Sequence, residues 1–248
     1  MPIEIPMTAE FDELQIATRG RVSRRVFFAA ALAPLLARCS SDPNSDTAGL
    51  TRMLGQSFAG LTGKSSVTLK EVADTPFASL GVRVGSGAQT MLVLATRDGD
   101  STVWTSASHI GLEMRRGRIL RTAGLPQNLS ATVFSGSDPL EAGVQNLHAP
   151  ASAKRSIDLA DRNAFGLVVE STVAPAGPAD VDVLGTRIAC VHAVERCICA
   201  ALKWNFTNEY WADTGSGRVW RSTQFIDPDL DAVEIELFRP PELQSAAP

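Results

Sequence analysis

The residues best suited to chemistry in this sequence are aromatic, and most of them lie close together. Three of the four tryptophans and the only tyrosine fall between Trp204 and Trp220, among amide, carboxylate and guanidinium side chains. An aromatic ring can stack on the apolar face of a sugar, while planar polar groups bind its hydroxyls and carboxylates. The cluster is therefore a candidate for contact with a glycan or a partner protein, and the alternative is that these aromatic residues pack across the sheet and fill its core. The candidate contact residues are Trp204, Tyr210, Trp211, Trp220, Arg118, Arg218, Arg221 and Gln224.

Carboxylates beside this cluster raise the alternative of a polysaccharide hydrolase or lyase. Glycosidases place two carboxyl groups across a cleft, roughly 5–9.5 Å apart. The sequence has neither a G-x-S-x-G nor an H-E-x-x-H motif, and it contains only three histidines. We therefore assign no catalytic residue and expect a protein that is not an enzyme. The carboxylates of the alternative are Glu209, Asp213, Asp227, Asp229 and Asp231.

Three cysteines lie near His192, at positions 190, 197 and 199. Thiolates and imidazoles are zinc ligands, but this spacing lacks the paired C-x-x-C arrangement of zinc sites. We predict neither a metal nor any other cofactor. In an oxidising compartment, a disulfide from Cys190 to one of the other two is an open alternative to three free thiols.

The N-terminal segment has the pattern of an export signal. Arg24 and Arg25 precede a short apolar stretch, Ala29 to Ala37, that ends near Cys39. The pair matches a twin-arginine signal, and Cys39 matches the lipidated cysteine of a lipobox, although a lipobox has a small residue in place of Arg38. We predict an export signal over 1–38, a tether over 39–46, a folded domain over 47–242 and a tail over 243–248.

Composition and charge exclude several classes of protein. The chain has 248 residues, of which 44% are hydrophobic and 20% are charged, as in a foldable globular protein. Its formal net charge of −4 offers no general attraction to a phosphate backbone, so we expect no nucleic-acid partner. No apolar run reaches the roughly 20 residues that a membrane-spanning helix needs.

The elements that must position the candidate residues are short strands. Apolar and β-branched runs alternate with Gly, Asp, Ser and Asn clusters, which is typical of antiparallel sheets. We predict a mainly β fold of antiparallel sheets, barrel-like, with an N-terminal amphipathic helix over 47–62 and a short helix over Pro139–Asn146. The strand candidates are Leu80–Val84, Met91–Thr96, Val103–Ser106, Gly111–Met114, Ile119–Thr122, Ser130–Phe134, Ser156–Ala160, Phe165–Val173, Asp182–Ala201, Asn205–Asp213, Val219–Gln224 and Ala232–Phe238.

One short motif occurs twice, with an offset of 100 residues. The run G-R-I-L-R-T at 117–122 returns as G-R-V-W-R-S at 217–222. Each copy follows an aromatic-bearing segment, around Trp104 in the first case and Trp211 in the second. Since glycine supplies the turn, each copy predicts a β-hairpin, and period-two alternation places Arg118, Leu120 and Thr122 on one face.

These residues carry a resemblance to a known family. The run from Tyr210 to Gln224 follows a Y-W-x-D-x-x-T-G-x-V-W-x-S-x-Q pattern without a gap, with Ser216 in place of the threonine. With the segment from Trp104 to Leu125 and the later Pro228 and Arg239-Pro240, it resembles the YjbF/GfcB group of group 4 capsule polysaccharide lipoproteins. The resemblance covers about residues 45–240.

The resemblance implies a location and a role. It implies a mostly β periplasmic domain, lipid-anchored at the periplasmic face of the outer membrane. It further implies an accessory role in exopolysaccharide or capsule assembly or export. The implied partners are an outer-membrane β-barrel export protein and the polysaccharide itself. The family supplies no catalytic residues to carry over to this chain.

Overall fold

The computed structural model describes residues 66–241, which form one antiparallel sheet of twelve strands. Each predicted strand segment overlaps at least one observed strand, so the mainly β prediction is confirmed. The strands are β1 (Ser79–Val84), β2 (Thr90–Asp98), β3 (Ser101–Thr105), β4 (Gly111–Arg115), β5 (Arg118–Ala123), β6 (Ala131–Phe134), β7 (Ala151–Leu159), β8 (Ala164–Val183), β9 (Thr186–Cys199), β10 (Trp204–Asp213), β11 (Val219–Gln224) and β12 (Val233–Arg239).

The sheet curls until its two edges almost meet. The strand order is β5-β4-β3-β2-β1-β12-β11-β10-β9-β8-β7-β6, so β5 and β6 are the edges. The loop between them bridges the gap, because the Thr122 amide donates to the Leu129 carbonyl and the Ser130 amide donates to the Asp158 carbonyl, each at 2.8 Å. The fold is therefore a nearly closed, barrel-like sheet, which leaves little free strand edge.

The strand directions define two ends of this barrel. The upper end carries the β2–β3, β4–β5, β8–β9 and β10–β11 turns and the end of β12. The lower end carries the β1–β2, β3–β4, β5–β6, β7–β8, β9–β10 and β11–β12 connections. A loop over 135–150 also lies at the upper end, between β6 and β7.

The barrel interior is filled by side chains from alternate residues of the strands. Burying one such large apolar side chain contributes roughly 1.5–3 kcal/mol. A second, smaller cluster inside the barrel joins Leu140 and Val144 of the upper loop to Val173 and Tyr210. The main cluster includes Leu80, Leu92, Trp104, Leu112, Ile157, Leu159, Val169, Val233, Ile235 and Leu237.

A third apolar cluster lies outside the barrel, beneath the tip of the long β8–β9 hairpin. The register of β8 shifts between Pro175 and Gly177, where Ala176 has no partner in β9. A bulge of one residue reverses which side chains face inward. Val181 and Val183 consequently pack with Cys190 and Phe238 on the outer face.

The predicted segment Asp182–Ala201 is wrong as a single strand. The chain turns at Leu184 and Gly185, which have φ of 50° and 82°, so the segment holds the end of β8 and all of β9. The predicted helix over Pro139–Asn146 is two 3₁₀ turns, Pro139–Ala142 and Val144–Asn146, because Gly143 between them has a φ of 89°.

One short helix precedes the sheet within residues 66–241. It is α1 (Leu69–Asp74), and its start is set by a capping box between Thr68 and Glu71. No helix in that range has the length and apolar character to cross a membrane. The predicted signal with Arg24 and Arg25, the lipidated Cys39 and the helix over 47–62 lie outside the described residues.

Both copies of the repeated motif form hairpins, as predicted. Arg116 and Gly117 make the two-residue turn between β4 and β5, with φ of 49° and 87°, and Gly217 ends the β10–β11 turn with a φ of 71°. The aromatic partner of the first copy was predicted wrongly, because β5 pairs with β4, whereas Trp104 lies on β3. Leu120 has no partner in β4, and this bulge breaks the predicted alternation.

Candidate functional site

The most conspicuous polar feature is a buried carboxylate, Glu195, in the middle of β9. It faces inward because it shares the phase of Ala193 and Cys197 along the strand. Its Oε2 accepts from Arg118 Nη1 at 2.7 Å, and its Oε1 accepts from Arg155 Nη1 at 2.7 Å. All three side chains are almost wholly buried. One carboxylate thus bridges two guanidinium groups inside the barrel.

A second carboxylate balances the charge of this network. Asp138 of the upper loop accepts from Arg118 Nε at 2.5 Å and from Arg118 Nη2 at 2.9 Å, and it also accepts from the Leu140 amide at 3.1 Å. The Arg118 guanidinium stands over the Phe134 ring, 5.2 Å from its centroid. Two positive and two negative charges are therefore neutralised together, and the loop is held to the interior.

Protonation of the network is set by burial and by its opposite charges. Burial acts to raise the pKa of Glu195, but the guanidinium groups of Arg118 and Arg155 outweigh it and hold this pKa well below the ordinary value. Burial acts to lower the pKa of Arg118, and the charge of Glu195 outweighs it, so that pKa is raised. Glu195 is held as a carboxylate and Arg118 as a guanidinium, so neither is poised to exchange a proton near neutral pH.

Two of the predicted contact residues complete this interior network. The Tyr210 hydroxyl donates to Glu195 Oε2 at 3.1 Å. Gln224 accepts from the Ile119 amide at 3.0 Å and donates to the Gly117 carbonyl at 2.8 Å, which ties β11 to β5 across the interior. Arg118, Tyr210 and Gln224 are buried among protein groups, and in this conformation they are not accessible to a glycan.

The other predicted contact residues lie in three different places. Trp211 and Trp220 pack partly buried in the outer cluster, under the β8–β9 tip. Arg221 donates to the Asp182 carbonyl of that tip at 2.6 Å. Trp204 stacks on Phe206 at the lower end, with ring centroids 3.8 Å apart. The aromatic residues are neighbours in sequence, but alternation and strand length separate them, so they do not form one site.

The eighth predicted residue, Arg218, lines a cavity of about 270 Å³ at the upper end, here called the upper pocket. The turns of the two repeated hairpins meet there, since a Cβ atom on Gly117 would lie 2.6 Å from Cβ of Val219. The floor of the upper pocket is formed by Leu80, Trp104, Met114, Val219, Ile235 and Leu237, and its rim by Arg97, Asp100, Arg116, Ser216 and Arg218.

The rim of the upper pocket is cationic. Arg116 Nη2 lies 2.8 Å from Asp100 Oδ2, and both side chains are about half exposed. Arg218 stands over the Trp220 ring, 5.8 Å from its centroid. Arg97 Nε donates to the Gly99 carbonyl at 3.1 Å. Among the described residues of the rim, Arg116 and Arg218 stand against one carboxylate, Asp100, so these side chains make the rim positive although the whole chain has a net charge of −4.

A shallower cavity of about 530 Å³, here called the lower groove, lies at the opposite end. Trp204 and Phe225 line it beside Asp229 and Asp231. Among the described residues that line it, none is cationic. The two ends of the barrel therefore offer cavities of different charge.

The carboxylates of the enzymatic alternative are divided between β10, which holds Glu209 and Asp213, and the lower end of the barrel, which holds Asp227, Asp229 and Asp231. Glu209 and Asp213 lie four residues apart on β10, about 13 Å at the rise of an extended strand. Asp213 accepts from the Gly215 amide at 3.0 Å and from the Ser216 amide at 2.5 Å, and it shapes the turn. Asp227 is buried at the lower end, where it accepts from Arg162 Nε at 2.6 Å. Asp229 also pairs with Arg162.

The cysteines are buried and unpaired. Cys190 belongs to the outer cluster, whereas Cys197 and Cys199 face the interior, so the open disulfide alternative is not formed. Burial, followed by the charge of Glu195, raises the pKa of Cys197 to about 12, so it remains a thiol. Within residues 66–241, no group of three His, Cys, Asp or Glu side chains is arranged to hold a metal ion.

Sequence reasoning did not find Asp138, Arg155 and Glu195. A signal for Glu195 is present, because it occupies the inward position between Ala193 and Cys197, where a charge must find a partner. Its cationic partners come from β5 and β7, and Asp138 of the upper loop pairs with Arg118; all of them are far from Glu195 in sequence. Only the tertiary structure brings these side chains together.

Comparisons with known proteins place this fold and these residues in a family. A family model described as "Group 4 capsule polysaccharide lipoprotein gfcB, YjbF" matches residues 50–238. The lipoprotein GfcB of Escherichia coli (strain K12) is 22% identical over 184 residues, which cover 73% of this chain and 86% of that protein. The crystal structure of the hypothetical lipoprotein YmcC from Escherichia coli (K12) shares the fold, with a TM-score of 0.63 and 22% identity over 81% of this chain and 100% of that one. The chain belongs to the group 4 capsule polysaccharide lipoprotein family of GfcB and YjbF.

Proposed function

We propose that this protein is a non-enzymatic accessory of capsule or exopolysaccharide assembly or export. It is lipid-anchored through Cys39 at the periplasmic face of the outer membrane, and it acts by binding polysaccharide or an outer-membrane export protein. Membership of a capsule polysaccharide lipoprotein family supports the process. The paired arginines Arg24 and Arg25 ahead of the apolar stretch support export.

The observation that carries a binding role is the contrast between the interior and the upper pocket. The interior charges satisfy one another, since Glu195 and Asp138 neutralise Arg118 and Arg155. The upper pocket instead combines an apolar floor with a charged rim, as ligand sites commonly do. Asp213 and Asp227 lie at opposite ends of β11, so these two carboxylates are not placed as a glycosidase pair.

Fractionation of cells that make the polysaccharide tests the anchored form. We expect the full-length protein in the outer-membrane fraction and the Cys39→Ser variant in the soluble periplasmic fraction, because a lipid chain holds the protein to the bilayer. Replacing both Arg24 and Arg25 by lysine should keep the protein in the cytoplasm. A Cys39→Ser variant that still sediments quantitatively with outer membranes would contradict lipid anchoring.

Deletion of the gene tests whether the protein takes part in capsule or exopolysaccharide assembly or export. We expect less polysaccharide at the cell surface and unchanged chain length in whatever is released, because an accessory alters delivery and leaves the glycosidic bonds intact. Affinity purification from mild-detergent membranes should recover an outer-membrane export protein. Shortened chains upon incubation of purified protein with the polysaccharide would instead establish the enzymatic alternative, with Glu209→Gln and Asp213→Asn as the first variants to assay.

A further inference from the structure

The upper pocket has a charge opposite to that of the whole protein. Among the described residues, its rim holds the guanidinium groups of Arg116 and Arg218 against one carboxylate, Asp100. The chain as a whole carries a formal net charge of −4. A cationic cavity on an acidic protein concentrates anions locally and excludes cations. The electrostatics of this cavity therefore favour an anionic ligand.

The floor and the size of the upper pocket narrow the class of ligand. Trp104, Met114 and Leu237 make the floor apolar. A volume of about 270 Å³ lies near the lower limit of small-molecule sites, roughly 300–1,000 Å³. The ligand must therefore be small, with an apolar face and an anionic edge. A sugar ring that carries a carboxylate meets both conditions, with its C–H face on the floor and its carboxylate at the rim.

The lower groove provides a contrast within the same molecule. It also has an aromatic wall, Trp204, but its charged lining residues are Asp229, which is paired with Arg162, and Asp231, so its described lining offers no cation to a carboxylate. The geometry thus distinguishes the two ends by the charge of the ligand that each accepts. Of these two cavities, the upper pocket is the one that suits an acidic sugar.

We propose that the upper pocket binds one carboxylated sugar unit of an acidic polysaccharide, with Arg116 and Arg218 binding the carboxylate and Trp104 and Leu237 supporting the ring. This inference rests on the proposed function and deepens it, because it names the ligand class and the end of the barrel that receives it. Arg116 and Arg218, at the turns of the two repeated hairpins, lie on the same rim and can therefore bind one carboxylate together.

The variants are chosen to remove charge and preserve the fold. Arg116 has a φ of 49° in a two-residue hairpin turn before Gly117, and Asn-Gly is a preferred pair for such turns, so Arg116→Asn removes the guanidinium and retains the turn. Arg218→Gln removes the second rim charge. Arg187→Gln is the matched control, since Arg187 is exposed on the β8–β9 tip and pairs with Asp180, outside the upper pocket.

The experiment is isothermal titration of the purified full-length protein with trigalacturonate, a glucuronate-containing tetrasaccharide and the methyl ester of trigalacturonate. We expect at least one of the acidic oligosaccharides to bind and the neutral ester not to bind. Arg116→Asn and Arg218→Gln should each weaken binding about tenfold, and Arg187→Gln should leave it unchanged. Added salt should weaken binding to the wild type more than to Arg116→Asn.

Three results would overturn the proposal. They are no binding of either acidic oligosaccharide, equal binding of the methyl ester, and full affinity in both rim variants with unchanged thermal stability. These results test the assignment of the upper pocket and leave the proposed accessory role to be tested by deletion of the gene. If polysaccharide delivery still depends on the gene while no acidic sugar binds, the accessory role stands and the assignment of the upper pocket fails.

Discussion

At the scale of single residues, the interior is organised by one carboxylate. Glu195 is buried because its position on β9 points inward, and it remains charged because Arg118 and Arg155 reach it from two other strands. Moving these ions out of water is costly, so the pairing itself is weak evidence of net stabilisation. Removing one charged member of the network should nevertheless destabilise the protein, because its partners are then left charged and buried without a full counter-charge.

Replacing Glu195 by glutamine should be strongly destabilising. Arg118 and Arg155 would retain only the Asp138 carboxylate as a buried counter-charge, so we expect the free energy of unfolding to fall by about 3–5 kcal/mol. Urea denaturation followed by circular dichroism measures the loss. Glu170→Gln is the control, since Glu170 pairs with Lys154 on the exposed face, and it should cost less than about 1 kcal/mol. Equal effects of the two variants would contradict this account.

The same carboxylate should give the stability a dependence on acid. The pKa of Glu195 in the folded protein lies below the ordinary value of 4.5, so protons bind the unfolded state first as the pH falls. The stabilisation is complete above about pH 4.5 and is lost as the pH decreases towards the folded-state pKa. The difference in unfolding free energy between wild type and Glu195→Gln should therefore shrink below that pH. A constant difference from neutral pH to pH 3 would refute the assignment.

At the level of secondary-structure elements, the run from Tyr210 to Gln224 links the β10–β11 hairpin to the β4–β5 hairpin through hydrogen bonds. Tyr210 bonds to Glu195, and Gln224 bonds to the backbone of Gly117 and Ile119. These contacts hold β11 against β5, although β5 lies at the sheet edge and β11 near its middle. The repeated turns meet as a result, and their meeting shapes the upper pocket.

Replacing Gly117 by alanine should damage this junction. Gly117 has a φ of 87°, and an added Cβ would lie 2.6 Å from Cβ of Val219, so we expect a loss of about 2–4 kcal/mol. Gly99→Ala is the control, because Gly99 has a φ of 55° but no neighbouring atom within 4 Å, and it should cost about 1 kcal/mol. Thermal unfolding compares the two.

A double-variant cycle separates the steric effect from the backbone effect. If contact with Val219 causes the loss, Val219→Ala should be less destabilising in the Gly117→Ala background than in the wild type. We expect the two effects on the free energy of unfolding to differ by at least about 1 kcal/mol. Strict additivity would assign the whole cost to the backbone conformation of Gly117.

At the scale of the whole molecule, two meanders are joined through one pair of strands. The first runs from β1 to β5 and the second from β6 to β12, and β12 pairs with β1 through residues 79–84. The only other link along the sheet is the bridged gap between β5 and β6. Cooperative folding should therefore depend on the ladder that β12 makes on both sides.

Proline in the middle of β12 tests this dependence. Glu234 pairs with Arg83 of β1 and with Thr223 of β11, and its side chain is exposed. Glu234→Pro removes an amide and adds a ring in a central strand, so we expect a loss of about 3 kcal/mol or more, with a broadened unfolding transition. Glu234→Ala keeps the amide and should melt within a few degrees of the wild type. A sharp transition for the proline variant, near that of the alanine variant, would show that the meanders do not rely on β12.

Local sequence was sufficient for the strands because their signal is local. Period-two alternation and turn residues identified segments that overlap all twelve strands, including Val219–Gln224 with its observed bounds. The error at Asp182–Ala201 has a physical cause, since the turn at Leu184 and Gly185 is short and lies between two apolar runs. The bulges at Leu120 and Ala176 were not predictable, because a bulge is defined by the partner strand.

The β class, the two similar hairpins and the family follow from the amino-acid sequence, since each depends on the order of residues along the chain. Which residues meet follows from the three-dimensional fold. It placed Tyr210 inside the barrel and Trp211 outside it, and it brought Arg116 and Arg218 from different hairpins to one rim. The reason is that curling of the sheet brings residues about 100 positions apart into contact across the barrel, although their strands do not pair, and such contacts leave no pattern in either segment.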